Sequence, residues 1–242
     1  MKFLEKFIWK LLRKADPGYH TSRTSFAQQG EDLVIDFIFT WMLNCPNPSY
    51  LDIGANHPSH LNNTYFFYKK GCTGVNIEPD PDLIASIKTK RKKDINLSVG
   101  IGKEKALLDF YVMETPTLNT FSKEAAEGYP KDERFGKPKI KAIKKVALLP
   151  VNDILEKYFA NNINYFISID VEGLDYEILS SINFEKFRPA VICIETDSFL
   201  KSLMLNKCTN FLKAVYYSSY GENSINTIFI DNLRFAHPLE KN

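Results

Sequence analysis

Two short runs constrain this chain more than anything else in it: residues 164–169 (NYFISI) and 190–194 (AVICI). Each is nearly continuous in apolar, β-branched or aromatic side chains, which suits strands covered on both faces, as in a parallel sheet. Each then passes straight into acidic residues, Asp170-Val171-Glu172-Gly173 after the first and Glu195-Thr196-Asp197 after the second. Upstream, residues 50–53 (YLDI), 74–77 (GVNI) and 95–99 read as strands and 107–112 as a fourth. Helical patterns fall between them. One covers 62–70 and ends at Gly71; the next opens at Pro81 with Leu83, Ile84 and Ile87 turned inward. Residues 140–149 look extended, 151–160 and 209–216 helical, and 226–230 supply a last strand. Strands alternating with helices predict a doubly wound α/β domain.

Composition narrows the function classes. With 44% apolar and 25% charged residues over 242 positions, the chain can bury a core; it is neither a disordered tail nor a disulfide-stapled miniature. Lys plus Arg number 31 against 29 for Asp plus Glu, which gives no case for a nucleic-acid binder. Cys45, Cys72, Cys193 and Cys208 show no metal-type spacing, and reduced thiols in a cytoplasm are the simplest account.

No apolar run approaches the ~18–20 residues that span a bilayer. Residues 1–15 (MKFLEKFIWKLLRKA) form an amphipathic pattern, with Leu4, Phe7, Ile8, Leu11 and Leu12 on one face and basic residues over much of the rest. Two placements compete: a helix on an anionic membrane surface, at the inner face, or one docked on its own domain or on a partner subunit of a homo-oligomer. The expected layout is thus a helix and linker over 1–24 and one domain over 25–242. Residues 131–145 (KDERFGKPKIKAIKK) read as a solvated insertion, or as a basic surface for an anionic substrate through Lys137, Lys139 and Lys141.

The chemistry gathers where strands end. Asp52-Ile53-Gly54-Ala55-Asn56 runs a strand into a tight turn, and Gly54 lets a ligand approach bare backbone. No glycine follows until Gly71, so the glycine-rich cradle of a pyrophosphate dinucleotide is missing, which weighs against a nicotinamide-dependent oxidoreductase. Glu78, at the second strand end, can accept bonds from both hydroxyls of a ribose. Two acidic strand ends without a phosphate cradle suit a phosphate-free nucleoside such as S-adenosylmethionine, whose sulfonium favours an acidic rim. His57, Asp170 and Glu172 are the candidate bases for a hydroxyl acceptor. Asp170 and Glu195 together could instead hold a divalent cation such as Mg²⁺ or Mn²⁺.

The strings GEDLVIDF, LDIGANHPSHLNNTYFFYKKG, LNTFS, ISIDVEGLDYEIL and NTIFID, in that order between Ser25 and Asp231, resemble the FkbM-type S-adenosylmethionine-dependent methyltransferase family. The resemblance implies a class I methyltransferase fold, a Rossmann-like seven-stranded sheet with its last strand antiparallel and helices on both faces. It implies O-methylation of a hydroxyl, in a bacterial glycan, capsule or natural-product precursor. It puts Asp52, Gly54, Asn56 and Glu78 on the cofactor and places Gln29, Glu31 and Asn63 near the site. Methylation of a phosphorus-containing capsule substituent and a non-catalytic S-adenosylmethionine-binding module are the alternatives.

Overall fold

A computed structural model describes residues 23–131, 133, 136–171, 174–196, 201–223 and 225–235. The amphipathic segment at 1–15 lies outside them, as does Glu172. Among the described residues no helix is long and apolar enough to cross a membrane.

The chain enters through α1 (Glu31–Phe37), prolonged by a π-helical turn at Ile38–Met42. It continues as β1 (Ser49–Ile53), α2 (Tyr65–Lys70), β2 (Gly74–Ile77), α3 (Pro81–Lys90) and β3 (Ile95–Leu97). An excursion follows: β4 (Gly100–Gly102), β5 (Ala106–Met113), α4 (Lys123–Gly128) and β6 (Ile140–Pro150). Then come α5 (Val151–Phe159), β7 (Tyr165–Ile169), α6 (Asp175–Ser181), β8 (Val191–Glu195), α7 (Lys201–Ala214), β9 (Tyr217–Glu222), β10 (Asn226–Asp231) and α8 (Asn232–Phe235).

Seven strands form one sheet in the order β3-β2-β1-β7-β8-β10-β9, with β10 antiparallel to both neighbours. Strand order reverses between β1 and β7, the point at which doubly wound sheets open a crevice. Side chains alternate across this sheet with period two. Leu51, Ile53, Ile167, Ile169, Ile192 and Ile194 face the layer of α5, α6 and α7, while Tyr50, Phe166 and Cys193 face α1 and α2. All five residues of β7 are buried, at about 1.5–3 kcal/mol for each large apolar side chain removed from water, so both faces of the sheet must be covered.

Several elements differ from the sequence expectation. The helix foreseen over 62–70 starts only at Tyr65, because Asn62 and Thr64 spend their side chains on Asp52 and Arg91. The strand foreseen at 95–99 stops at Leu97, and the next stretch pairs elsewhere: β4, β6 and β5 form a separate three-stranded sheet. The strand at 107–112 therefore belongs to that smaller sheet. The lysine-rich insertion is not a loop throughout, since Ile140 to Lys145 pair along β5, Lys145 opposite Asp109 and Lys144 opposite Phe110. Lys137, Lys139 and Lys141 do face solvent. The helix foreseen at 209–216 begins at Lys201, and β9 (YSSYGE) had no apolar alternation to announce it.

Candidate active site

Because β1, β2, β7 and β8 run parallel, their carboxyl ends meet along one rim, and Asp170 and Glu195 meet there with them. The strand ends are laced together there. Asp170 N–H donates to Ile53 O at 3.0 Å and Gly54 N–H to Ile77 O at 3.0 Å. Gly54 has φ +83°, and a Cβ on it would sit 1.8 Å from the Asp170 carbonyl oxygen. The need for glycine at 54 is thus first the protein's own: any side chain would wedge β1 from β7. The close approach expected for a ligand comes second to that.

A cavity of about 510 Å³ opens at this rim, within the range of small-molecule sites. Asp52, Glu78, Asp170 and Glu195 all line it, with Asn56, Asn63 and His57. Among the described residues its lining contains these four carboxyls and no lysine or arginine.

Each acid is held differently. Glu78 is buried; its Oε2 accepts from Asn56 N–H and its Oε1 from Asp80 N–H, both at 2.8 Å. Burial pushes its carboxyl up to about 7, against the pull of those two backbone donors. Each oxygen keeps one lone pair for a further donor. Asn56 reaches its position through a left-handed backbone, φ +48°, that asparagine tolerates.

Asp52 takes part in a buried network as well as the cavity wall. Its Oδ2 accepts from Thr64 Oγ1 at 2.6 Å and Asn62 Nδ2 at 3.1 Å, and Arg91 lies 3.8 Å away. Burial raises its pKa, Arg91 opposing. Asn63 points Nδ2 at Ser168 Oγ, 3.1 Å, and at Cys193 Sγ, 3.7 Å, so it spans β7 and β8.

Asp170 is half-buried at the end of β7. Burial raises its carboxyl to about 7; the charge of Asp175 pushes the same way, and a hydrogen bond with Glu195 pulls back. Two carboxyls joined by a hydrogen bond share a proton. The divalent-cation pairing foreseen for these two residues is not supported among the described residues, where no group of three or more His, Cys, Asp or Glu that could hold a metal is gathered.

His57 lines the cavity, but its Nδ1 accepts from Ser59 N–H at 3.2 Å and His60 N–H at 2.9 Å. That assigns the ring proton to Nε2, which is then a donor and not a base. Burial, then Lys90 and His60, lower its pKa.

Glu31 and Gln29 stand off the cavity wall, where Gln28 appears instead. Glu31 is buried and clamps the chain across long range: Oε1 accepts from Asn226 Nδ2 at 2.7 Å and Asn223 Nδ2 at 2.9 Å, Oε2 from Gln29 N–H at 2.8 Å. Asn119 and Phe121, in the LNTFS string, line the cavity from the excursion, a role that reading strand ends alone did not give them.

The methyltransferase FkbM domain matches residues 52–215 of the 242, from the end of β1 to just past α7. The chain belongs to that family. It is therefore an S-adenosylmethionine-dependent methyltransferase. No curated protein matches the methyltransferase. Solved structures similar to it include WbdD (9% identity, 90% of this chain and 44% of that one, TM-score 0.44). A TehB-like SAM-dependent methyltransferase from Corynebacterium glutamicum matches at 10% identity over 93% of this chain and 99% of the other, TM-score 0.40. Precorrin-6y C5,15-methyltransferase from Geobacter metallireducens matches at 12% over 86% and 92%, TM-score 0.41. The methyltransferase spans under half the length of WbdD.

The donor set fits that cofactor. Glu78 has two lone pairs left on opposite oxygens, matching two adjacent ribose hydroxyls, and the acidic lining, without lysine or arginine among the described residues, suits a ligand with a positive sulfur and no phosphate.

Proposed function

We propose that the methyltransferase acts on a hydroxyl of a glycan, capsule or natural-product precursor, with Asp170 as the base that removes the hydroxyl proton. What carries the reading is one observation: Asp170, a carboxyl held near neutrality, lines the same four-carboxyl cavity as Glu78. S-adenosylmethionine supplies, when bound, a methyl group on a positively charged sulfur. The chain's own part is to bind, orient and take a proton. Glu78 receives the ribose, the end of β1 around Gly54 and Asn56 gives the backbone surface beside it, and Asp52 adds negative charge. Asp170 ionises in the physiological range, so it can take a proton near neutral pH and pass it on, the matching of pKa to pH that a general base needs. His57, tied by Nδ1 to its own turn, orients that turn.

The first test is binding. By titration calorimetry the protein is expected to bind S-adenosylhomocysteine and not NAD. Glu78→Gln should lose about 10–100-fold in that affinity, the worth of charge-assisted bonds whose replacement amide turns a donor toward the Asn56 or Asp80 N–H. Affinity unchanged in that variant would remove Glu78 from the ligand. The acceptor is tested by mass spectrometry of glycan extracts from cells with and without the gene, where the loss of one methyl mass is expected; identical extracts would overturn the glycan assignment.

A further inference from the structure

One wall of the cavity is a single 3₁₀ turn, Pro116–Leu118, and the short stretch after it. Residues 116–121 belong to the excursion between β3 and α5, outside the seven-stranded sheet, and Pro116, Thr117, Asn119, Thr120 and Phe121 all line the cavity. Much of what shapes this segment is local to the excursion. Tyr111 and Thr120 exchange backbone bonds at 2.8 and 3.2 Å, Leu118 N–H donates to Thr115 O at 3.0 Å, and Asn119 Oδ1 accepts from Met113 N–H at 2.8 Å. These bonds shape the segment without setting its distance from the sheet that carries Glu78.

A bond that does so comes from the other end of the same amide. Asn119 Nδ2 donates to Asp80 Oδ2 at 2.9 Å, 39 residues back in sequence. Asp80 is buried and fully engaged: its Oδ1 caps α3 by accepting from Asp82 N–H at 2.8 Å, and its own N–H donates to Glu78 Oε1. Hydrogen bonds therefore run unbroken from Met113 through Asn119, Asp80 and Glu78 to Asn56, across the rim from the small sheet to the end of β1.

We propose that Asn119 is a positioning residue, a latch that holds residues 116–121 against the end of β2 and so sets the slot for the base of the nucleoside ligand. The inference rests on the reading that Glu78 takes the ribose. Given that reading, the base must lie within a few ångströms of Glu78. Pro79 and Leu83 on the β2–α3 side and Pro116, Thr117 and Phe121 from the excursion are among the uncharged surfaces lining that cavity, and they flank the two ends of the Asn119–Asp80 bond in sequence. A wall already fixed costs the ligand no ordering on arrival, which is where preorganised sites gain affinity. An amide bonded to a buried carboxylate is strong enough to fix it.

The bond can be broken and remade with its polarity reversed. Asn119→Asp sets a second carboxylate against Asp80 and opens the latch. The double variant Asp80→Asn/Asn119→Asp restores an amide–carboxylate pair, and both side tasks survive, since asparagine caps helices as well as aspartate does and a carboxylate can still accept from Met113 N–H. Titration with S-adenosylhomocysteine is expected to show Asn119→Asp weaker by about tenfold or more. The KM for S-adenosylmethionine should rise by more than kcat falls, and the double variant should return to within about threefold of the wild type. Asn119→Ala, which drops the bond without adding charge, gives the same direction should Asn119→Asp prove unstable in a thermal melt. Wild-type affinity in both single variants, or a double variant no tighter than Asn119→Asp, would overturn the latch. A wild-type protein that ignores S-adenosylhomocysteine would be a different result: it overturns the nucleoside reading and the latch with it.

Discussion

Asp170→Asn is expected to lower kcat by about 10²–10⁴, the contribution of a positioned general base, while S-adenosylhomocysteine still binds within about threefold of wild type. Asparagine keeps the size of the side chain and can donate to Glu195, so it mimics the protonated acid that burial favours. It cannot take a proton. A second readout separates this from damage to the fold. A carboxyl whose folded pKa is raised binds its proton more tightly folded than unfolded, so it costs stability once pH passes the unfolded value near 4. The cost grows as pH climbs to the folded value of about 7 and is constant above it. Removing the charge should therefore raise the melting temperature at pH 8 while turnover collapses, the pattern of a residue kept for function at the expense of stability. Near-normal turnover in Asp170→Asn would take Asp170 out of the mechanism.

The same raised value sets the pH profile. As a base, Asp170 works only when ionised, so kcat should rise with pH through about 7 and level off above. Glu78 titrates in the same window, also about 7, and would confuse the reading if only kcat/KM were followed. The two separate because kcat reports the complex. There the ribose hydroxyls donate to Glu78 and favour its ionised form, leaving the rise in kcat to Asp170 and its hydrogen-bonded partner Glu195 as a pair. A flat kcat from pH 6 to 9 would contradict the assignment.

What could be read from the chain without its structure follows a physical divide. A strand covered on both faces writes itself as an unbroken apolar run, and a functional rim as the abrupt change from apolar to acidic, so β1, β2, β7 and β8 and their acids were legible one residue at a time. Contacts made by chain folding back on itself were not. Residues 107–112 show a strand's pattern but nothing in it says which sheet they join; the partner, β6, is defined only by three-dimensional pairing. Glu31 reads as an acid near the site, yet the residues it braces, Asn223 and Asn226, are nearly two hundred positions away. Asn119 lies in LNTFS, a string that carries the family resemblance but gives no partner for the amide until Asp80 is brought beside it. Arg91 gives no sign of its place. It occurs among lysines in KTKRKKD, and it is fully buried.

The burial of Arg91 gives the second large effect: Arg91→Ala should destabilise the protein by about 3–5 kcal/mol, the cost of leaving buried carboxylates without their counter-charge. At the carboxyl end of α3 the backbone turns out of the helix, φ −111° and ψ 57°, and swings the side chain inward. There Nε donates to Asp94 Oδ2 at 2.8 Å and Nη1 to Thr64 Oγ1 at 2.8 Å and Asn62 Oδ1 at 3.1 Å, between the rings of Tyr50 and Tyr68. Asp94 accepts in addition from Tyr50 Oη, Gly74 N–H and Asn76 Nδ2, so it ties β1 to β2 under the sheet edge. One guanidinium thus faces two acids, Asp94 and Asp52, and Asp52 continues to the cavity rim. Without it, both acids must be buried uncompensated or protonated, and protonation is the cheaper outcome. In the variant Asp52, already raised by burial, loses the opposing charge of Arg91 and rises further, so stability relative to wild type is lost as pH rises from about 4 and the gap is widest at neutral pH. A drop in melting temperature of about 6–20 °C at pH 7.5, shrinking at pH 5, is the expected result for a chain of this size. Arg91→Lys should recover less than half of it, because one ammonium cannot reach Asp94, Thr64 and Asn62 together. A melting temperature for Arg91→Ala within a degree or two of wild type, at either pH, would mean that this network is not what holds the β1–α2 loop, and with it Asp52, at the mouth of the site.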